Sequence, residues 1–113
     1  MTRTLLIVLA ALAAAGNAAA AIPKLTASVS DPLNISLRQG TKKVSHLKPG
    51  TYVIVVRDTA SDHNFHLTGP GVNKSTPVGA KGTFRWTVKL KKGSYTFVCD
   101  PHASFMKGSF TVS

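Results

Sequence analysis

Apolar and polar residues alternate along most of the chain beyond residue 20, and this pattern predicts β-strands. The alternation is strictest from Phe84 to Leu90, where every second residue is apolar, as in a strand with one buried face. Leu33 to Arg38 has the same rhythm, while Tyr52 to Val56 is a continuous apolar run, typical of a more fully buried strand. Two more strands are predicted near the C-terminus, from Tyr95 to Cys99 and from Met106 to Val112.

Glycine and proline separate these segments and mark turns, as at Pro49-Gly50, Gly69-Pro70-Gly71 and Lys92-Gly93. No segment has the period of an amphipathic helix of useful length. About seven or eight short strands in a chain of this size predict an all-β fold, a Greek-key sandwich or barrel in a single domain.

The first 20 residues have the composition of a signal peptide. Arg3 precedes an apolar stretch from Leu5 to Ala15, and small residues that suit cleavage follow, such as Ala18-Ala19-Ala20. The stretch is shorter than the roughly 18 to 20 apolar residues that span a bilayer. We therefore predict cleavage near Ala20 or Ala21, no stable membrane insertion, and an exported domain over residues 21–113 in the periplasm or extracellular space.

The charge is strongly positive, with 14 lysines and arginines against four aspartates, for a net charge of +10. Loss of Arg3 with the signal peptide leaves +9. The basic residues are spread along the chain and no helix gathers them, which favours a solvated cationic surface over nucleic-acid binding. Such a charge favours acidic partners and a monomer.

The one cysteine, Cys99, ends the penultimate predicted strand, and alternation turns it inward together with Tyr95 and Phe97. With no second cysteine to pair with, this thiol is a free group, an intermolecular link or a ligand. His102 and Met106 follow it closely in the chain.

Thiolate, thioether and imidazole are ligands that suit copper better than magnesium, calcium or manganese. A further ligand has to come from elsewhere, and the segment Ser61 to Leu67 contains two histidines. Two imidazoles, one thiolate and a weak axial thioether are the ligands of blue-copper electron-transfer sites. The sequence therefore predicts a copper site of this composition.

On these motifs the chain resembles the small cupredoxins of the plastocyanin, pseudoazurin and amicyanin group. Cys99-Asp100-Pro101-His102 is similar to their Cys-x-Pro-His motif, and His63-Asn64 is similar to their upstream histidine followed by asparagine. The resemblance implies a cupredoxin-like sandwich holding one copper ion, with Asn64 hydrogen-bonding its loop to the cysteine loop. The ligands implied are His63, Cys99 and His102 in the equatorial positions and Met106 in the axial one.

The loop length departs from the family pattern. Three residues, Ala103-Ser104-Phe105, separate the histidine from the methionine, whereas plastocyanin and pseudoazurin loops have four and amicyanin loops two. The distance between copper and the Met106 sulfur, the colour and the reduction potential therefore do not follow from the resemblance.

Some positions have alternative interpretations. His66 competes with His63, but residues three apart in a strand face opposite sides, so only one is expected to reach the metal, and the family pattern selects His63. Cys99 alone would be a small buried core residue, and Met106 a core filler at a strand start.

Other side chains have simpler interpretations. We expect Trp86 to be a core residue and not an electron relay, and His46 to be a solvated loop residue. Phe105 either packs under its loop or joins Pro101 and Ala103 in an apolar collar around His102.

The resemblance implies a one-electron carrier that shuttles between Cu(I) and Cu(II) and meets redox partner proteins through their acidic faces. It does not imply an enzyme, because the four ligand positions are filled and no catalytic carboxylate pair or serine–histidine pair is evident. The alternative is a copper trafficking or sequestration protein that uses the same site. A cationic adhesion module without metal is a third hypothesis, which requires the copper assignment to fail.

Overall fold

The computed structural model of the protein describes residues 21–113. The predicted signal peptide, residues 1–20, lies outside the described residues. The described chain contains ten strands and one short 3-10 helix, and no helix in it is long and apolar enough to cross a membrane. The strands are β1 Lys24–Ser30, β2 Asn34–Gln39, β3 Lys42–Lys43, β4 His46–Leu47, β5 Gly50–Asp58, β6 His66–Gly69, β7 Val72–Ser75, β8 Gly82–Leu90, β9 Gly93–Val98 and β10 Lys107–Val112, and the 3-10 helix is Asp100–His102.

The strands form two five-stranded sheets. The first sheet has the order β3-β2-β1-β5-β8, and the second has the order β4-β10-β9-β6-β7. Most neighbours are antiparallel, but β1 runs parallel to β5 and β4 runs parallel to β10. The all-β sandwich predicted from the sequence is confirmed. There are more strands than expected because β3 and β4 have two residues each.

The inward side chains of both sheets form one hydrophobic core, as alternation along the strands predicts. Its centre is aromatic: the rings of Phe65 and Phe97 stack with centroids 5.3 Å apart. Trp86 is partly buried against this core, with its ring centroid 6.2 Å from that of Phe65, so its predicted core position is confirmed. The tilted contact of Trp86 and Phe65 extends the aromatic cluster to the edge strand β8.

The longest of the strands without a counterpart among the predicted segments is β1. It lies between β2 and β5, near the middle of the first sheet, and its Leu25, Ala27 and Val29 are fully buried. Its residues do alternate, as in the other strands, but the central inward residue, Ala27, is small. The parallel pairing of β1 with β5 is a long-range feature that no local pattern indicates.

Strand ends differ from the prediction by one or two residues. β2 begins at Asn34, so Leu33 lies in the preceding turn, where its side chain is 45% exposed. β9 ends at Val98 and β10 begins at Lys107. Cys99 and Met106 therefore lie just outside the two strands, one at each end of the loop that joins them.

Two inward aromatic residues of β9 lie over glycines of the neighbouring strands. A Cβ atom on Gly69 of β6 would clash with the Tyr95 ring, and one on Gly108 of β10 would clash with the Phe97 ring. An aromatic ring covering a glycine on the adjacent strand is a known device that fixes sheet register. These contacts hold β9, which leads into Cys99, between β6 and β10.

We predict that Gly108→Ala destabilises the domain by about 1–3 kcal/mol, because the new methyl group displaces the Phe97 ring from its stack on Phe65. Ser109→Ala, at the exposed neighbouring position of β10, is the control and should change stability by less than about 0.5 kcal/mol. Urea unfolding of the two variants measures the difference. Equal stability would show that the ring moves aside without cost.

Candidate metal centre

The predicted ligand residues come together at one end of the sandwich. His63 lies in the loop between β5 and β6, and Cys99 follows β9. His102 is the last residue of the 3-10 helix, and Met106 is the residue before β10. The side chains of His63, Cys99 and Met106 are fully buried, whereas His102 is half-buried.

Three donor atoms converge on one point. The Cys99 Sγ lies 3.7 Å from His63 Nδ1 and 3.5 Å from His102 Nδ1, and the two Nδ1 atoms are 3.2 Å apart. Metal bonds of about 2.0–2.3 Å place the donors of one tetrahedral ion roughly 3.3–3.7 Å from one another. One thiolate and two imidazoles at this spacing therefore fit a single ion of the size and ligand preference of copper.

The His63 ring is oriented from its far side. Its Nε2 lies 3.0 Å from the Pro32 carbonyl oxygen, and because a carbonyl only accepts, Nε2–H is the donor. The Nδ1 lone pair is then left free and aimed at the cluster. The carboxylates of Asp31 and Asp62 lie 3.2 and 3.7 Å from the same Nε2. A turn between two strands of the first sheet therefore fixes this imidazole.

Backbone hydrogen bonds close the loop that carries the other three residues. The Cys99 amide donates to the Met106 carbonyl over 3.0 Å, and the Met106 amide donates to the His102 carbonyl over 2.8 Å. The His102 amide in turn donates to the Cys99 carbonyl over 3.0 Å. The three-residue spacing between His102 and Met106 is thus accommodated in a compact loop, with the methionine side chain turned into the core.

Asn64 connects the two loops, as the resemblance implied. Its backbone amide donates to Cys99 Sγ over 3.4 Å. Its side chain accepts from the Asp100 amide at 2.7 Å and donates to the Asp100 carboxylate at 2.8 Å and to the Thr76 carbonyl at 3.2 Å. Asn64 is buried, so these bonds replace hydration that the amide group loses on folding.

His66 does not take part in the donor cluster. It is the first residue of β6, and its ring bonds instead to Asp100 Oδ1 at 2.9 Å and to Asn73 Oδ1 at 2.6 Å. The hydrogen bond with Asp100 is the main reason that the pKa of His66 is raised. His63 lies in a loop and not in a strand, so the expected alternation of faces does not apply. The two rings are distinguished instead by their hydrogen-bond partners.

Asp100 and Thr76 are functional neighbours that the sequence analysis missed. Burial acts to raise the pKa of Asp100, but hydrogen bonds from His66 and Asn64 outweigh it, and the pKa is lowered. Thr76 Oγ1 accepts from the Phe65 amide at 3.0 Å. The sequence does contain one indication of a role for Asp100, because this residue lies inside the Cys-x-Pro-His motif. Its carboxylate has two acceptor oxygens, and it lies next to Asn64.

The exposed residues around the site agree with the interpretation of Phe105 as part of an apolar collar around His102. Its side chain is 75% exposed and does not pack under the loop. Pro101 and Ala103 are exposed as well, on either side of the half-buried His102. His46, expected in a loop, is instead the first residue of β4; it is exposed, and its Nε2 lies 2.8 Å from Ser113 Oγ.

Residues 34–113 match the copper binding proteins of the plastocyanin/azurin family. The chain belongs to this family. It is a blue-copper cupredoxin, and its cofactor is copper, one ion per chain. The resemblance inferred from the two loop motifs is confirmed.

Several solved structures share this fold. Reduced rusticyanin superposes with a TM-score of 0.60 at 19% identity, over 85% of this chain and 82% of its own. Rusticyanin from Thiobacillus ferrooxidans gives 0.52 at 23% identity, over 80% and 76%. A chain of a heme-copper terminal oxidase dimer gives 0.57 at 18% identity, over 80% of this chain and 63% of that one. No curated protein is similar enough in sequence to match.

We predict that Asn64→Ala destabilises the metal-free protein by about 2–3 kcal/mol, because the Asp100 amide and the Thr76 carbonyl lose their buried partner. Asn73→Ala is the matched control, since it removes one exposed bond to His66, and it should cost less than about 1 kcal/mol. Urea unfolding without copper measures both. Similar losses in the two variants would mean that Asn64 does not hold the loops together.

Proposed function

We propose that this cupredoxin is a one-electron carrier, with His63, Cys99 and His102 as equatorial copper ligands and Met106 as the axial ligand. The observation that supports the assignment best is the convergence of Cys99 Sγ and two Nδ1 atoms within 3.2–3.7 Å. A copper ion bound there supplies a Cu(II)/Cu(I) couple that takes up and releases one electron.

The protein contributes a site that does not need to rearrange. His63 is held by the Pro32 carbonyl, and Cys99 by the Asn64 amide. Burial of Cys99 and Met106 keeps water away from both sulfur atoms. Because these positions are set by the fold, little motion accompanies a change of oxidation state, which favours rapid transfer.

The half-buried His102 is the proposed route for the electron. Pro101, Ala103 and the exposed Phe105 form an apolar collar beside it, and Leu33 adds a further exposed apolar side chain that shares a surface groove with Phe105. A small apolar face of this kind suits a short-lived complex with a redox partner.

The charge suits an acidic partner. Lys107 lines the same groove as Phe105 and Leu33, and the net charge of residues 21–113 is +9. Long-range attraction would speed the encounter with an acidic docking face, and like-charge repulsion between copies favours a monomer. Nucleic acid is not part of the proposal.

Export completes the proposal. We infer a signal peptide over residues 1–20 and a single mature domain over residues 21–113 that works in the periplasm or extracellular space. The composition of the N-terminal segment supports this.

The alternative of copper trafficking is less well supported. Handing the ion to an acceptor requires access for an incoming ligand, but Cys99 and His63 are fully buried and only His102 reaches the surface. Buried donors on hydrogen-bonded loops favour retention of copper, as a carrier requires.

We predict that Cu(II) added to the mature chain produces an intense thiolate-to-copper charge-transfer band that saturates at one copper per chain. Cys99→Ser should abolish the band, because it removes the thiolate. His66→Gln is the matched control, since this ring lies outside the cluster, and it should retain the band. Visible absorption during titration measures the parent, these two variants and His63→Gln. A band lost in His66→Gln but kept in His63→Gln would refute the ligand assignment.

We also predict that Phe105→Ser slows electron self-exchange between the oxidised and reduced protein by roughly fivefold, the equivalent of about 1 kcal/mol at an interface position. NMR line broadening at high ionic strength, where repulsion between copies is screened, measures the rate. Val78→Ser is the control, because Val78 is another exposed apolar residue, 52% accessible, outside the collar. An unchanged spectrum must accompany the slower exchange, and equal rates in both variants would exclude the collar as the contact face.

A further inference from the structure

The outer face of the first sheet carries a cluster of positive charge that the metal site does not use. All its members are exposed and lie on the side of the sheet opposite the core. They include every arginine found within residues 21–113. This cationic face consists of Lys24, Arg38, Lys43, Arg57, Arg85 and Lys89.

Strand pairing places these side chains close together. Thr26 pairs with both Arg38 and Val55, and Val55 pairs in turn with Arg85, so the two arginines lie in one row across four strands. At about 4.8 Å per strand, their backbones are roughly 14 Å apart. Arg57 is two residues further along β5 on the same side. Val55 is only 3% exposed although it lies outside the core, so neighbouring side chains cover it, as long arginine stems do.

No carboxylate neutralises this face. Of the four aspartates, Asp31, Asp62 and Asp100 lie in the loops around the metal centre, and Asp58 is buried at the end of β5. The ion pairs found within residues 21–113 all involve histidines and none involves lysine or arginine.

The outer face of the second sheet has a different composition. Its outward side chains are mainly hydroxyls, and it carries a single lysine among the positions of β6, β9 and β10. The positions are His66, Thr68, Ser94, Thr96, Val98, Lys107, Ser109 and Thr111. The outer face of the first sheet therefore carries more lysines and arginines than these three strands of the second sheet.

We propose that the cationic face docks on the surface of an anionic phospholipid bilayer. The guanidinium group of arginine presents a planar fork of donors that matches phosphate oxygens, and three such groups on a sheet surface can contact several headgroups together. The protein then lies on the bilayer without inserting into it.

A bilayer fits this face better than a protein partner does. Specific protein interfaces depend on buried aromatic or apolar anchors. The exposed large apolar side chains of residues 21–113 are Ile22, Leu33, Val78 and Phe105. None of them lies in the strands of the cationic face, and two of them, Leu33 and Phe105, share a groove only with its edge at Arg38. Charged headgroups require no such anchor, because each lysine or arginine near an anionic membrane contributes attraction by itself.

Docking in this way leaves the metal centre accessible. The cationic face is the broad side of the first sheet, whereas His102 lies in a loop at the end of the strands. A carrier resting on that side would hold its copper site next to the bilayer, beside a redox partner embedded in it. The proposal concerns the sheet surface and does not depend on the copper assignment.

The test is sedimentation of the mature chain with vesicles of phosphatidylcholine containing phosphatidylglycerol, at about 100 mM salt. Binding is expected to anionic vesicles and not to pure phosphatidylcholine, and it should weaken steeply with added salt. A variant with Arg38→Gln, Arg57→Gln and Arg85→Gln should bind about 100-fold more weakly, since each charge contributes about fivefold. Equal binding to both kinds of vesicle would overturn the proposal.

The matched control removes the same charge elsewhere. Lys48→Gln, Lys81→Gln and Lys92→Gln change exposed loop residues outside the cationic face, and this variant should bind within about threefold of the parent. Equal loss in the two triple variants would show attraction by net charge alone and refute a specific face. Circular dichroism checks folding, and Arg57→Glu alone, expected to weaken binding at least fivefold, serves if the arginine variant does not fold.

A last experiment distinguishes binding to lipid headgroups from binding to free phosphate. Inorganic phosphate at about 10 mM, at constant ionic strength, should leave the vesicle-bound fraction unchanged, because a surface of many headgroups is recognised collectively. Displacement by phosphate would refute a bilayer face and indicate a site for the single anion. Tighter binding to polyglutamate than to vesicles would indicate an acidic protein partner instead.

Discussion

The hydrogen bonds of Asn64 are the constraint on which the metal end of this cupredoxin depends. Its side chain joins the loop of His63 to the loop of Cys99 through both the amide and the carboxylate of Asp100, and its own backbone amide reaches the thiol. The group is buried, so water cannot replace a lost partner at low cost. The loop of His63 follows β5 of the first sheet, and the loop of Cys99 follows β9 of the second sheet. The convergence of the donor atoms therefore depends on how the two sheets pack against each other.

The fold and most of the metal centre could be predicted because their signals are local. Alternation along β8 and β9 indicates strands, and the side chains that it turns inward are those found in the core. The order of cysteine, histidine and methionine around a turn indicates both a metal and its kind. Each of these patterns can be read within a short stretch of sequence, because the side chains that form it belong to one strand or to one loop.

Long-range features could not be predicted in this way. The parallel pairing of β1 with β5 depends on where the chain returns after β2, β3 and β4, and nothing within either strand determines it. The hydrogen bond that His63 donates to the Pro32 carbonyl joins residues 31 apart in sequence. Asp100 is informative only once Asn64 and His66 are known to lie beside it. The concentration of arginines on one sheet face likewise depends on register across four strands.

The position of His63 has a consequence for how the protein can be observed. Its ring is attached on one side to the turn between β1 and β2 in the first sheet, and on the other it faces a thiol carried by the second sheet. With copper bound by the proposed ligands, the ion would act as a cross-link between the sheets in a chain whose one cysteine cannot form an internal disulfide. The visible absorption of the protein would then report on the alignment of the two sheets. If one sheet shifted over the other, the copper ligands would move and the absorption would change, although both sheets kept their backbone hydrogen bonds.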